Sequence, residues 1–167
     1  MALWAISAVF LWTLLALFLR RCPRFWRGLN RILCLFSMAL ILYGTVFSRS
    51  IGGSSQGLSL LPFASLTSAH RSSDRLHTMM ANVLLFVPYG LTAPFAFPRQ
   101  TSGKAGKTIL SAMLLSILIE AAQFAFRLGY CESDDVLMNT LGAAFGCLSY
   151  MASHAFINTK SKSSGSI

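Results

Sequence analysis

The side chains with the most chemical potential crowd into one stretch of the 167-residue chain, Glu120–Gly146. It holds four of the five carboxylates, Glu120, Glu132, Asp134 and Asp135, together with Gln123, Arg127 and Asn139. At helical spacing Glu120, Gln123 and Arg127 fall at i, i+3 and i+7 and share one face. Asp135, Asn139, Gly142 and Gly146, at i, i+4, i+7 and i+11, share a face of the next segment. The spacing predicts a helical hairpin in which one polar stripe faces a stripe of polar and small residues. Three kinds of chemistry suit such a cluster. It can hydrogen-bond a polar head group. It can hold a divalent metal against a lipid phosphate, with Arg71, Arg75 or Arg127 neutralising charge. It can also use Glu120 as the titrating group of a small proton-coupled transporter.

Each group has a plainer role as well. Glu120 can pair with Arg127 on its own face. Ser133 or Asp134 can cap the following helix, and the acids suit its positive N-terminal dipole. Gly142 and Gly146 form a GxxxG patch, whose ordinary meaning is close helix packing. Asn82 and Asn139 fit interhelical hydrogen bonds. His70 and His77 lie in a polar loop. No Ser or Cys has a His–Asp pairing at a recognised spacing, so the residues single out no nucleophile. The four cysteines, Cys22, Cys34, Cys131 and Cys147, have neither metal-ligand nor disulfide-framework spacing. Binding without covalent chemistry, metal or cofactor is the favoured reading.

The elements that must position this cluster are membrane helices. With 54% hydrophobic and 11% charged residues the chain is too apolar for an ordinary soluble domain, where about 25% are charged. Its net charge of +9 comes from short basic clusters between apolar runs, which marks cytoplasmic loops rather than a nucleic-acid face. Five spans are expected: Ala2–Leu19, Ile32–Phe47, Met79–Phe97, Thr108–Phe126 and Val136–Ile157. The first lacks a basic leader region and a cleavage site, and reads as a retained helix. Pro88 and Pro94 fit the third as kinks. Ser48–Thr78 is a long polar segment with an apolar island at Leu58–Phe63, and Arg127–Asp134 reads as a tight acidic turn. The expected organisation is one all-α integral-membrane domain over residues 1–157, with a disordered polar tail over 158–167.

Charge predicts the orientation. With the N-terminus outside and the C-terminus in the cytoplasm, ten of the fourteen basic residues face inward, leaving Arg49, Arg71, Arg75 and Arg127 outside. The acidic cluster then lies at the outer leaflet of a plasma membrane.

Four segments also carry a resemblance. SLLPF at Ser59–Phe63, NVLLFVPYG at Asn82–Gly90, ILIEAAQFAF at Ile117–Phe126 and CESDDVLMNTLGAAFG at Cys131–Gly146 resemble, in order and spacing, the VanZ-like family of small multi-span bacterial membrane proteins. The matching positions are Pro62, Phe63, Asn82, Phe86, Pro88, Gly90, Glu120, Gln123, Glu132, Asp135, Asn139 and Gly142. The match covers about residues 59–150. Ser133 stands where an apolar residue is usual, Asp134 is additional, and the first two spans carry no motif. The resemblance implies a cell-envelope protein associated with low-level resistance to the glycopeptide antibiotic teicoplanin. Its expected partners are the bilayer and either a lipid-linked wall precursor or the lipoglycopeptide itself.

Overall fold

The computed structural model describes Trp12 and residues 22–47, 57–59, 73–98, 101–128 and 130–163. Within these lie four helices: α1 (Pro23–Leu42), α2 (Ser73–Thr92), α3 (Lys104–Ala125) and α4 (Ser133–Ser163). All four are long and apolar enough to cross a membrane. Exposed apolar side chains confirm what surrounds them. Phe25, Ile32, Leu35, Phe36 and Leu40 point outward from α1, and Leu137, Leu141, Phe145, Leu148 and Met151 from α4. A soluble protein does not present continuous stripes of this kind, and lipid is their natural solvent. The fold is a polytopic helical membrane bundle. The expected first span, Ala2–Leu19, lies outside the described residues apart from Trp12, as do Pro62 and Phe63.

Local sequence explains the helix limits. Pro23 opens α1, where its missing N–H costs nothing. At its far end α1 passes into a π turn, Tyr43–Phe47, in which Thr45 is buried. α2 begins six residues before the expected Met79 and runs through Pro88 without ending. Thr92 Oγ1 donates to the Pro88 carbonyl at 2.7 Å, and Pro94 falls beyond the helix in a 3-10 turn, Ala93–Phe95. α3 ends in a Schellman turn: the Leu128 N–H reaches the Gln123 carbonyl at 2.8 Å and the Arg127 N–H reaches that of Phe124 at 3.3 Å. Arg127 occupies the left-handed position of that motif, φ 54°, where glycine is usual. α4 continues past Ile157 to Ser163, six residues into the polar stretch after the expected span.

The acidic turn contains structure that helical periodicity does not foresee. Tyr130–Glu132 forms a short strand, β2, paired in parallel with β1, Gly57–Ser59. The pairing ties the long polar segment to the connection between α3 and α4.

Packing centres on α2 against α4. A Cβ on Gly142 would collide with the Val83 backbone, one on Gly146 with that of Val87, and one on Gly90 with that of Ala143. The GxxxG patch therefore brings two backbones together, as its spacing implies. Around this seam Cys34, Ile41, Phe86, Tyr89, Ala112, Ile119 and Ala143 make one buried cluster. Tyr89 OH and Ser111 Oγ share a 2.9 Å hydrogen bond that joins α2 to α3.

Candidate functional site

Because consecutive helices run in opposite directions, the bundle has two chemically different ends. The starts of α1 and α3 share one end with the 3-10 turn after α2. The starts of α2 and α4 share the other with the π turn and the end of α3.

At the first end four aromatic rings interlock. Trp12 and Trp26 are 5.3 Å apart between centroids, and Phe95 packs edge-on to both at 6.1 Å. Tyr150 meets Phe95 edge-on at 5.2 Å. Beneath them lies Asn30, with no exposed surface. Its Oδ1 accepts from Trp12 Nε1 at 2.8 Å and its Nδ2 donates to the Trp26 carbonyl at 2.8 Å. Arg31 Nε adds a 3.3 Å hydrogen bond to the Phe95 carbonyl. Rings packed this closely leave no cage for a ligand, and the amide is engaged at both its nitrogen and its oxygen.

The second end is acidic. Glu120 sits five residues before the end of α3, about 7–8 Å along the axis. It is only 4% exposed. Its Oε2 accepts the Glu132 backbone N–H at 3.0 Å, so a carboxylate inside the bundle holds the strand above it. Gln123, one turn further on, is 2% exposed and donates from Nε2 to the Thr45 carbonyl at 2.8 Å. Thr45 lies in the last turn of the first helix, where carbonyls lack helical partners. One turn before Glu120, the buried Ser116 Oγ accepts from Asn139 Nδ2 at 2.7 Å. Asn139 is itself 2% exposed. Ser116, Glu120 and Gln123 thus form a polar row on the inner face of α3, held by α4, β2 and the π turn respectively.

Several polar atoms here are buried with no hydrogen-bond partner: Gln123 Oε1, Asn139 Oδ1 and Ser133 Oγ. Ser133 opens α4, and Asp134 and Asp135 occupy its first turn. Asp134 is buried and Asp135 half-buried. Both acids stand where the helix dipole favours them. Cys131 lies between these groups. Burial, then the charges of Glu120 and Asp135, push its thiol above the ordinary value.

The sequence reading is met unevenly. Glu120, Gln123 and Asn139 come together, with the backbone of Glu132 and with Asp135 at the rim. Arg127 does not join them. The shared face holds only while the helix continues; α3 stops at Ala125, and the left-handed turn leaves Arg127 exposed. Asn82 is half-buried on α2 and makes no hydrogen bond to the row. Phe86, Pro88, Gly90, Gly142 and Gly146 belong to the α2–α4 packing. Among the described residues no three His, Cys, Asp or Glu side chains converge closely enough to hold a metal ion. Two members of the network went unread in the sequence, Ser116 and Thr45. Ser116 was open to detection, because it lies four residues before Glu120 on the same helical face. Thr45 contributes its backbone, which no side-chain pattern reports.

Fold and buried row together define a small polytopic membrane protein with a buried polar row at one end of its bundle. The family described as VanZ/LLP1 matches residues 31–154, and the chain belongs to it. The chain is similar to Protein VanZ of Enterococcus faecium, with 30% identity over 105 residues. That alignment covers 63% of this chain and 59% of the relative, so the similarity spans little more than half the relative's length. No solved structure matches.

Proposed function

We propose that this chain is a multi-pass protein of the bacterial plasma membrane that raises tolerance to the lipoglycopeptide teicoplanin, acting from the polar end of its bundle. The site would engage a lipid, a lipid-linked wall precursor or the antibiotic, and so change the antibiotic's access to its target. The observation that carries this reading is the buried row of Glu120, Gln123 and Asn139. Ionisable groups at membrane depth are expensive and mark function by default, and two of these three residues keep an oxygen without a donor. Family membership supports the link to glycopeptide antibiotics. Orientation from the basic clusters would place the row at the outer leaflet, where such antibiotics act. Binding suffices for this role; no covalent step is needed.

The test is antibiotic susceptibility in a Gram-positive host expressing the wild-type chain, Glu120→Gln or Asn139→Leu at matched membrane levels. Tolerance to teicoplanin should rise with wild type, without an equal rise for vancomycin, and should fall away in both variants. Tolerance retained by both variants would remove the site from the mechanism. No tolerance with wild type would remove the proposed role.

A further inference from the structure

The glycines of the membrane helices are of two kinds. Gly90, Gly142 and Gly146 sit where another backbone leaves no space for a side chain. Gly28 does not. It lies in the second turn of α1, exposed, and a Cβ built on it meets nothing within 4 Å among the described residues. Glycine inside a helix is destabilising relative to alanine, and no described contact within the chain explains its presence here.

What borders Gly28 is positive charge. Arg24, Gly28, Arg31 and Leu35 fall at i, i+4, i+7 and i+11 and share one face of α1. Both arginines are exposed. Arg31 Nε donates to the Phe95 carbonyl at 3.3 Å, which ties the base of the guanidinium to the 3-10 turn, and its two terminal nitrogens are further donors. This face is turned away from the bundle. Trp26, Asn30 and Ile41, the buried positions of α1, stand about half a turn around the helix from Gly28. Past Arg31 the outer side becomes apolar, with Ile32, Leu35 and Phe36 strongly exposed.

The chain supplies no carboxylate side chain to balance these cations. Asp74 opens α2, and Glu120, Glu132, Asp134 and Asp135 gather at the same acidic end, about 30 Å away along α1. The helix dipole disfavours a cation in the first turn, where Arg24 stands. α1 has no acid there to offset it, whereas α4 begins with two. An anion from outside the chain relieves both the dipole and the mutual repulsion of the arginines.

We propose that the outer face of α1 seats one anionic phospholipid of the phosphatidylglycerol type. Its phosphate lies between Arg24 and Arg31 over the open Gly28, and its acyl chains run along Ile32, Leu35 and Phe36. The missing side chain at Gly28 lets the phosphate approach the helix backbone, and two guanidinium groups match its oxygens. The lipid must carry net negative charge, because a zwitterionic head group brings a cation of its own to a site that already holds two. This site lies outside the interlocked aromatic rings and is independent of the antibiotic reading of the acidic end.

The test offers the purified, delipidated full chain equal amounts of phosphatidylglycerol and phosphatidylcholine with the same acyl chains, and reads retained lipid by native mass spectrometry. Retention should favour phosphatidylglycerol by about tenfold, the worth of one charged hydrogen bond. Arg24→Gln and Arg31→Gln should each lose most of that preference. Lys107→Gln, which removes an exposed cation from the start of α3 at the same end, should keep it. Gly28→Leu is the decisive variant. Its side chain enters open space, so thermal unfolding in detergent should be unchanged or occur at higher temperature, while the preference falls several-fold.

Equal retention of the two lipids by the wild-type chain overturns the proposal. So does a full preference in Gly28→Leu, or a loss in Lys107→Gln as large as in Arg24→Gln, which would reduce the effect to diffuse surface charge. A Gly28→Leu chain that unfolds at lower temperature would give the glycine a packing role and overturn it as well.

Discussion

Asn30 and Asn139 are the same residue type, each buried in a helix of the same bundle, and they are treated in opposite ways. At the aromatic end Asn30 accepts from Trp12 and donates to the Trp26 carbonyl. At the acidic end Asn139 donates to Ser116 and keeps an unpaired oxygen. A buried polar group with its bonds made fastens helices together; one left short is costly and persists where something else meets the need. On the proposed reading the aromatic end is architecture and the acidic end is the site. Burial alone does not distinguish them. The donor–acceptor balance does.

The comparison assumes that both ends hang on one seam, and the largest expected effect tests that assumption. Gly142→Leu drives a side chain into the Val83 backbone. It should cost about 3 kcal/mol or more, since overpacking against main chain cannot relax by rotamer change. Membrane accumulation and thermal unfolding in detergent should both collapse, taking the two ends with them. Retention of a folded acidic end would show that the ends are held separately.

Asn30→Leu is next in size. It strands the Trp12 indole N–H at a fully buried position, while the Trp26 carbonyl keeps its helical bond, and should lower stability by about 2 kcal/mol. Teicoplanin tolerance should be unchanged once expression is matched. Asn139→Leu is the matched substitution at the other end. It removes an acceptor that is already unpaired together with the donor to the buried Ser116 Oγ, so stability should fall by about 1 kcal/mol, less than for Asn30→Leu, while tolerance is lost. If both leucine variants destabilise equally, the contrast between the ends fails.

The smallest effect is read at Cys131. The thiolate is the reactive form, and burial together with the charges of Glu120 and Asp135 keeps this thiol protonated to higher pH. Alkylation at pH 8 should be slower in the folded chain than in the unfolded one and should catch up as pH rises. Because the folded-state value is raised, the stability tied to the neutral thiol is complete below the unfolded value. It is lost as pH rises through the folded value. Glu120→Gln removes one of the two charges and should speed alkylation modestly. An unchanged rate would mean that Glu120 carries no charge at that pH.

Much of this molecule was legible because membrane helices obey short-range rules. Runs of apolar residues gave the existence and order of the described helices, but missed boundaries by six residues or more at the start of α2 and at α1 and α4. α1 begins at Pro23 and α4 continues to Ser163, through polar sequence that hydropathy counts as loop or tail. The GxxxG patch at Gly142 and Gly146 gave the α4 face that meets α2, and Glu120 with Gln123 gave half of the buried row. Arg127 was misplaced by the same logic, since periodicity does not report where a Schellman turn stops a helix. The aromatic cluster escaped because Trp12, Trp26, Phe95 and Tyr150 come from four distant segments.

The sequence by itself therefore determined the solvent, the helices and the residues that carry polarity, all of which depend on composition and on spacing within a turn or two. Only the tertiary structure decided which polar groups find partners. It sets the Thr45 carbonyl against Gln123, the Glu132 amide against Glu120 and Ser116 against Asn139, across 78, 12 and 23 residues of chain. Hydrogen bonding is directional and reaches about 3 Å. Whether an oxygen is satisfied is consequently a property of the packed helices and of no stretch of sequence.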